Sequence, residues 1–572
     1  MRLLLSGSIS LILCISSLGR EVPRTADLIL IHARIYTVNA GHTWAEALAV
    51  RDGKLLAVGT DKEIEQYRRP NTTVIDAKHR LVLPGFTDCH VHFLDGSFAL
   101  QQIDLEDAKD LAEIQRRVKT YADAHPHDAW LLGRGWSYPL FPPTGLPNKK
   151  DLDAIIADRP VYLEGFDGHS WWANSKALES ASIRKDTPDP PGGAIVRDPK
   201  TGEPTGAIKE DAADAIVRRA IPDPGREAKL KALRDGLKHA NELGITRVHV
   251  MGGVNPGEGD LSNADLLEEL RKNGELTVRF YLAYRVEPPR VTHVQIAEIE
   301  RARERYHDDW IAAGGVKFFM DGVIETHTAA MLQPYSDDPS LSGQLLWDPE
   351  RYKNFVAELD RRGIQVFTHA IGDRAIQTAL DAYENAARVN QTKDAWHRIE
   401  HIEDVAASDI ARFGKLRVIA SMQPLHAYPD DDTLTVWARN VGSERAQRGW
   451  AWHSIQAAGG VLAFGSDWPV VTLSPWPGLQ NAVTRQTVAG EPEGGWIPSE
   501  RLSIEDAIKG YTINAAYAGH REKSEGSLEP GKIADLIVVS QDLIKVDPAR
   551  IRNTEVLLTM VGGKVVYSSA KF

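Results

Sequence analysis

The chain has 572 residues, 42% hydrophobic and 26% charged, a globular balance that excludes a disordered, collagen-like or coiled-coil protein. At this length about two to four domains are expected, with a large buried core. The 67 Lys and Arg residues against 79 Asp and Glu leave a net charge of −12, which argues against a nucleic-acid binder that neutralises phosphates and against a polybasic membrane patch.

Met1-Arg2 is followed by LLLSGSISLILCISSLG and then Arg20-Glu21. A basic start, a short apolar run and small residues at the exit (Ser17, Gly19) are the layout of a secretory signal peptide over residues 1–19. A periplasmic or secreted location is the expectation. Two alternatives stand beside it: a lipoprotein acylated at Cys14, opposed by Leu13 where a small residue is expected, and a cytoplasmic protein that keeps the segment. The run is short for a membrane span, and no other stretch is apolar for long enough to make one. Cleavage would leave Cys89 as the single cysteine, so no internal disulfide is expected.

After the leader, ADLILIHARIYTV, EALAVRDGKLLAVG and TTVIDAKHRLVLPGF read as short strands, rich in β-branched residues and broken by Gly, Asn and Asp. GSLEPGKIADLIVVS and TEVLLTMVGGKVVYS read the same way at the other end. Residues 25–83 and 525–572 are therefore expected to build one small sheet domain together. The middle, residues 84–524, alternates buried strand-like runs (VKFFMDG, GIQVFTHAIGD, RIEHIED, RVIASMQP, VLAFGSDWP) with amphipathic helices such as RAIQTALDAYENAARV. That alternation predicts a parallel sheet closed as a (β/α)8 barrel. A Pro-, Gly- and Trp-rich region between about Phe93 and Ala240 breaks the rhythm and reads as an insertion.

The sharpest local signal is Asp88-Cys89-His90-Val91-His92, which follows the apolar run LVLPGFT. Residues two apart on a strand face the same way, so His90 and His92 can present imidazoles to one ion. Lys317 (in GGVKFFMDG), His369 (GIQVFTHA), His401 (HRIEHIE) and Asp467 (VLAFGSDWP) fall at the C-terminal ends of successive strand-like runs. In a (β/α)8 barrel those ends form the active-site face. One such residue is readily explained as a hydrogen-bonded core group, but the whole series in strand order is not.

Long motifs in fixed order, LPGFTDCHVH, RPVYLEGFDGHSWWANSKALE, GGAIVRDPKTGEPTGAIKE, VKFFMDG, THAIGDRAI, RIEHIE, FGSDWPV and PGKIADLIVVS, resemble the amidohydrolase superfamily. Within it the chain is similar to amidohydrolase family 3, the YtcJ-like proteins that include N-substituted formamide deformylases. The resemblance implies an α/β fold, a distorted (β/α)8 TIM barrel beside a composite β-sandwich. It implies His90, His92, Lys317, His369, His401 and Asp467 as metal ligands, with Lys317 carboxylated if two ions are held. It also makes Asp467 the general base and Zn²⁺ the expected ion, one or two per chain. Counting strands back from Lys317 makes VRFYLAYR the third and TRVHVM the second, and places the insertion at about residues 95–215.

Asp373 and Glu400 are candidates to support the histidines, or are solvated loop charges. His169 (DGHSWW) and His426 (MQPLHAY) are candidates for substrate contact. Trp136, Trp171 and Trp468, with Arg134 and Trp172, would form an aromatic wall for a hydrophobic portion of the substrate, although packing explains tryptophans equally well. The expected activity is metal-dependent hydrolysis of a carbon–nitrogen bond other than a peptide bond in a small amide-type molecule. A deaminase, a cyclic-amide hydrolase and a non-catalytic protein that keeps the barrel are the alternatives. No nucleic-acid partner and no stable membrane span are expected, and a homodimer is left open.

Overall fold

In the computed structural model, residues 25–252, 264–286 and 293–572 are described. The leader expected over residues 1–19 lies outside them.

Eight parallel strands, hydrogen-bonded in chain order, form the barrel: β1 (Phe86–Val91), β2 (Ile245–Val250), β3 (Arg279–Arg285), β4 (Ile311–Phe319), β5 (Gln365–Ala370), β6 (Arg398–His401), β7 (Ile419–Met422) and β8 (Val461–Phe464). Strands of this kind are covered on both faces, so they read as unbroken apolar runs; every residue of β5 and of β7 is buried. The helix after β5, Asp373–Asn390, buries Ile376, Ala379, Leu380, Tyr383 and Ala386, the three-to-four spacing of one helix face. The ring closes through a bridge just beyond β8: Asp467 N–H donates to His90 O and His92 N–H to Trp468 O, each at 2.7 Å. The backbone that closes the barrel thus carries His90, His92 and Asp467.

Two further sheets lie at the chain ends. One runs in the order Lys54–Gly59, Ala47–Arg51, Leu28–Ile31, Thr73–Asp76. The other mixes both ends: Lys564–Ser568, Val556–Val561, Leu536–Val539, Leu81–Pro84, Arg34–Tyr36, Trp44–Ala45. The molecule is a distorted (β/α)8 barrel with a composite β-sandwich. The hairpin between the last two strands turns on Gly562-Gly563, with φ of 56° and 74°, the left-handed values such tight turns demand. The apolar run ahead of the His90 motif is two strands in two sheets, Leu81–Pro84 in the sandwich and Phe86–Val91 in the barrel, with the chain passing between them at Gly85. A Cβ there would lie 2.3 Å from Thr246 Cγ2, so the crossing tolerates only glycine. Both halves are buried, which is why hydropathy alone does not separate them.

Between β1 and β2 the Pro/Gly/Trp-rich region builds a sheet of its own, in the order Ala194–Arg197, Pro204–Lys209, Ser170–Ala173, Val161–Gly165, Leu131–Trp136, Ile103–Asp104. It has its own core, which takes up Trp136 and Trp172. At the opposite end of the barrel from the strand C-termini, Arg247 grips Glu525 with two 2.6 Å hydrogen bonds and Arg279 Nε reaches Asp535 Oδ2 at 2.7 Å. All four residues are buried, and they tie β2 and β3 to the C-terminal segment that enters the sandwich.

Candidate metal centre

The C-terminal strand ends converge on a cavity of about 870 Å³ lined by His90, His92, Lys317, His369, His401 and Asp467, with insertion residues along one side. His90 Nε2 lies 3.4 Å and His92 Nε2 3.3 Å from Asp467 Oδ1. Asp467 Oδ1 is buried and accepts no hydrogen bond. A tetrahedral ion with bonds of about 2.0–2.1 Å sets its ligand atoms about 3.3–3.4 Å apart. Asp467 Oδ1 therefore stands at the spacing a metal requires from both histidines, the three ligand atoms lie within 4.8 Å of one another, and an ion would explain the orphaned oxygen. Among the described residues a second such group is His401, His426 and Asp467, which shares the aspartate.

Supporting side chains set which ring nitrogens face the centre. His90 Nδ1 lies 2.7 Å from Glu400 Oε2, and His401 Nδ1 lies 2.9 Å from Gln423 Oε1. Glu400 can only accept when ionised, so His90 Nδ1 donates and leaves its Nε2 lone pair for a metal; Gln423 holds the His401 ring through Nδ1, the nitrogen that also lies 3.9 Å from Asp467 Oδ2. Glu400 is held in turn by Arg398, whose Nε and Nη2 reach its two oxygens at 2.9 and 3.0 Å. The same guanidinium donates to Cys89 O (2.6 Å) and Ser421 Oγ (2.8 Å), and Nη1 lies 2.9 Å from His249 Nδ1. Asp88 accepts from the backbone N–H of His90 and of Ser466, both at 3.0 Å, and so clips the two ligand-bearing segments together.

Burial drives His90, His369 and His401 well below the ordinary imidazole value, toward the neutral form that binds metals. Burial alone would raise the Asp467 carboxyl, but His90, His92 and His426 outweigh it and hold it well below the usual carboxylate range. Burial pushes the Lys317 ammonium down to about 8. Its Nζ lies 3.2 Å from His90 Nε2, among the ligands rather than apart from them.

The remaining candidates divide. His369 lines the cavity, but its Nε2 lies 3.2 Å from Gly322 O and must donate there, leaving Nδ1 as its lone-pair nitrogen. His426 stacks on His401, with rings 5.8 Å apart and 3° from parallel, so it stands at the centre itself rather than farther along a substrate channel. His169 lines the cavity with Nδ1 2.8 Å from Glu210 Oε2. Trp171 and Arg134 line it as well.

Trp136 and Trp468 do not form the expected wall. Trp136 is sealed in the insertion's core with its indole N–H on Leu163 O at 3.0 Å. Trp468 packs over Gly96, where a Cβ would lie 2.3 Å from the ring, and edge-on to Phe93. Glu400 supports a candidate ligand as described, whereas Asp373 turns away and accepts Leu332 N–H at 2.7 Å near the start of its helix.

Residue-by-residue reading misses Gln423, Arg398 and Asp321. Arg398 and Glu400 are two apart on β6 and face the same side, a signal present in RIEHIE. Asp321, the aspartate of VKFFMDG, accepts the N–H groups of Ala330, Ile371 and Gly372 at 2.9–3.1 Å and anchors the loop after β5. No local pattern shows that.

Comparison with known proteins places these features in company. The sequence pattern of the group described as the amidohydrolase family matches residues 73–567. The chain is 33% identical to Protein LONG AFTER FAR-RED 3 of Arabidopsis thaliana, over 95% of this chain and 92% of that protein. It is 30% identical to putative amidohydrolase YtcJ of Bacillus subtilis (94% and 98%) and 26% identical to N-substituted formamide deformylase of Arthrobacter pascens (95% and 98%). Among solved structures, a metal-dependent hydrolase of Pyrococcus horikoshii superposes with a TM-score of 0.72 at 26% identity, over 91% of this chain and 99% of that one.

Proposed function

The chain belongs to the amidohydrolase family of metal-dependent hydrolases that act on carbon–nitrogen bonds; from that premise we propose that its substrate is a small amide or formamide, cleaved by water at the barrel mouth. The observation that carries this reading is the buried, unpartnered Asp467 Oδ1 at 3.3–3.4 Å from two histidine Nε2 atoms. The deformylase relative supports the choice of bond.

His90, His92 and Asp467 would hold one divalent ion, for which Zn²⁺ is our choice given nitrogen and oxygen donors. His401 with His426, or with His369, would serve a second. Such an ion supplies a Lewis acid that polarises a carbonyl and acidifies water. Asp467, ionised and buried, accepts a proton from the attacking water at a carboxylate oxygen and returns it to the leaving nitrogen. Glu400 keeps the His90 ring in the tautomer that turns Nε2 inward, and Gln423 holds the His401 ring in place. Lys317 is placed for carboxylation: burial raises its fraction of neutral amine, and a carbamate would replace a cation beside His90 with two oxygens.

Metal analysis of the purified protein, with turnover measured on formamides, acetamides and esters, tests the proposal. We expect at least one ion per chain, loss of turnover after chelation and its return with zinc. Undiminished turnover by metal-free protein would sink it.

A further inference from the structure

Beyond the metal centre, one wall of the same cavity gathers carboxylates: Asp167, Glu325, Glu403 and Asp432. They come from the insertion (Asp167) and from the segments after β4, β6 and β7. Each of Asp167, Glu325 and Glu403 feels the charge of His169, and Glu325 also feels Asp167 and Asp432, so they form one electrostatic group.

Four of the basic side chains that line the same cavity are paired with other carboxylates, while Lys317 stands among the candidate ligands and Arg285 lies over the Phe319 ring. Arg134 pairs with Glu106 at 3.3 Å, Arg226 with Asp265 at 2.6 Å, Lys229 with Asp223 at 2.9 Å, and Arg218 with Asp214. His169 has Glu210 at 2.8 Å.

The wall is also incompletely satisfied. Glu403, its side chain 7% exposed, takes the Trp437 indole N–H on Oε2 at 2.8 Å, while its Oε1 is 3.9 Å from His426 Nδ1, too far for a hydrogen bond. Asp432 takes the Ser137 hydroxyl on Oδ2 at 2.7 Å and leaves Oδ1 buried and unpartnered. A concentration of buried carboxyls with open acceptors is costly to ionise unless a cation occupies it.

We propose that this wall binds a positively charged group of the substrate, an ammonium or guanidinium, so that the amide cleaved at the metal centre belongs to a cationic molecule. The inference rests on the amide-hydrolase reading for the word amide, but not for the cation. A bare metal ion fits the wall less well. Three ligand atoms within 4.8 Å of one another occur, among the described residues, only in the two groups that share Asp467; these carboxylates are spread for something larger. Burial lifts the Glu325 carboxyl up to about 8 and that of Asp432 up to about 7, the strain an arriving cation would relieve.

The test uses the zinc-loaded full chain and two readouts. Calorimetry compares butylguanidinium and butylammonium with the neutral butyramide, the anion butyrate and Ca²⁺. The cations should bind at least about tenfold tighter than the neutral probe, the scale of one charge-assisted contact, and butyrate weakest. Glu325→Gln and Asp432→Asn, checked for wild-type metal content and melting temperature, should each bring the ratio of cation to neutral binding toward one. Equal binding of cation and neutral probe by the wild type overturns the proposal, as does Ca²⁺ binding more tightly than either organic cation.

The second readout is turnover of three N-formyl compounds of matched length: a monoformyl diamine, a formyl alkylamine and a formyl ω-amino acid. The diamine derivative should lead in kcat/KM. Equal turnover of all three sinks the cation and spares the amide reading, whereas cation-selective binding without turnover of any sinks the amide reading and spares the cation.

Discussion

The two ends of the barrel treat buried charge in opposite ways. At the strand N-termini each buried arginine meets a carboxylate head-on: Arg247 holds Glu525 through two 2.6 Å hydrogen bonds and Arg279 holds Asp535 at 2.7 Å. At the strand C-termini carboxylate oxygens that line the cavity are left open: Asp467 Oδ1 and Asp432 Oδ1 are buried without a hydrogen bond. Matched ion pairs hold the barrel to the sandwich, whereas the unmatched acceptors Asp467 Oδ1 and Asp432 Oδ1 face the cavity where a ligand from outside the chain can bind.

Breaking that contrast at the mouth should produce the largest effect. Asp467→Asn keeps the size and part of the donor set but removes the proton acceptor, so turnover by metal-loaded protein should fall by about 10²–10⁴. Near-normal kcat in a variant of measured metal content would place the base elsewhere.

At the other end, Glu525→Gln leaves the Arg247 guanidinium buried without its counter-charge. Stability should drop by about 3–5 kcal/mol, read as denaturant midpoint, while kcat per folded, metal-loaded molecule stays within twofold. A lost kcat with an unchanged midpoint would reverse the roles assigned to the two ends.

Glu400→Gln probes the passage between them, since Glu400 links the Arg398 network to His90. Metal affinity should weaken about 10–100-fold, measured by competition with a chromogenic chelator. Unchanged affinity would show that the barrel holds His90 in place without it.

The smallest effect concerns Asp404, whose carboxyl burial pushes up to about 7. Its value in the fold lies above that in the unfolded chain, so the stability of the protonated form is present under acid and is lost as pH rises through about 7. Asp404→Asn mimics the protonated state and should gain on the wild type by on the order of 1 kcal/mol between pH 4 and pH 8, seen in melting temperatures at the two values. A pH-independent difference would mean that water or a cation already satisfies the group.

Local sequence carried the fold far. Each barrel strand from β4 onward carries a polar residue within three positions of its C-terminal end (Lys317, His369, His401, Gln423, Asp467), and the C-terminal strands pair in the hairpin that Gly562-Gly563 marks. It carried less of the insertion, where prolines and tryptophans obscure six short strands; Trp136 serves the insertion's separate core, and Trp468, beyond β8, packs on Phe93 and Gly96.

His90, His92, Lys317, His369, His401 and Asp467 could be chosen from the sequence because strand periodicity and the strand-end rule are local and act on each segment alone. Their distances, the His426 ring beside His401, the Gly322 carbonyl on His369 and the acidic wall from four separate segments were decided only by closure of the barrel. Hydrogen bonds and Coulomb forces act over a few ångströms of space, and residues hundreds of positions apart, such as His90 and Glu400, come within that reach only when the eighth strand meets the first.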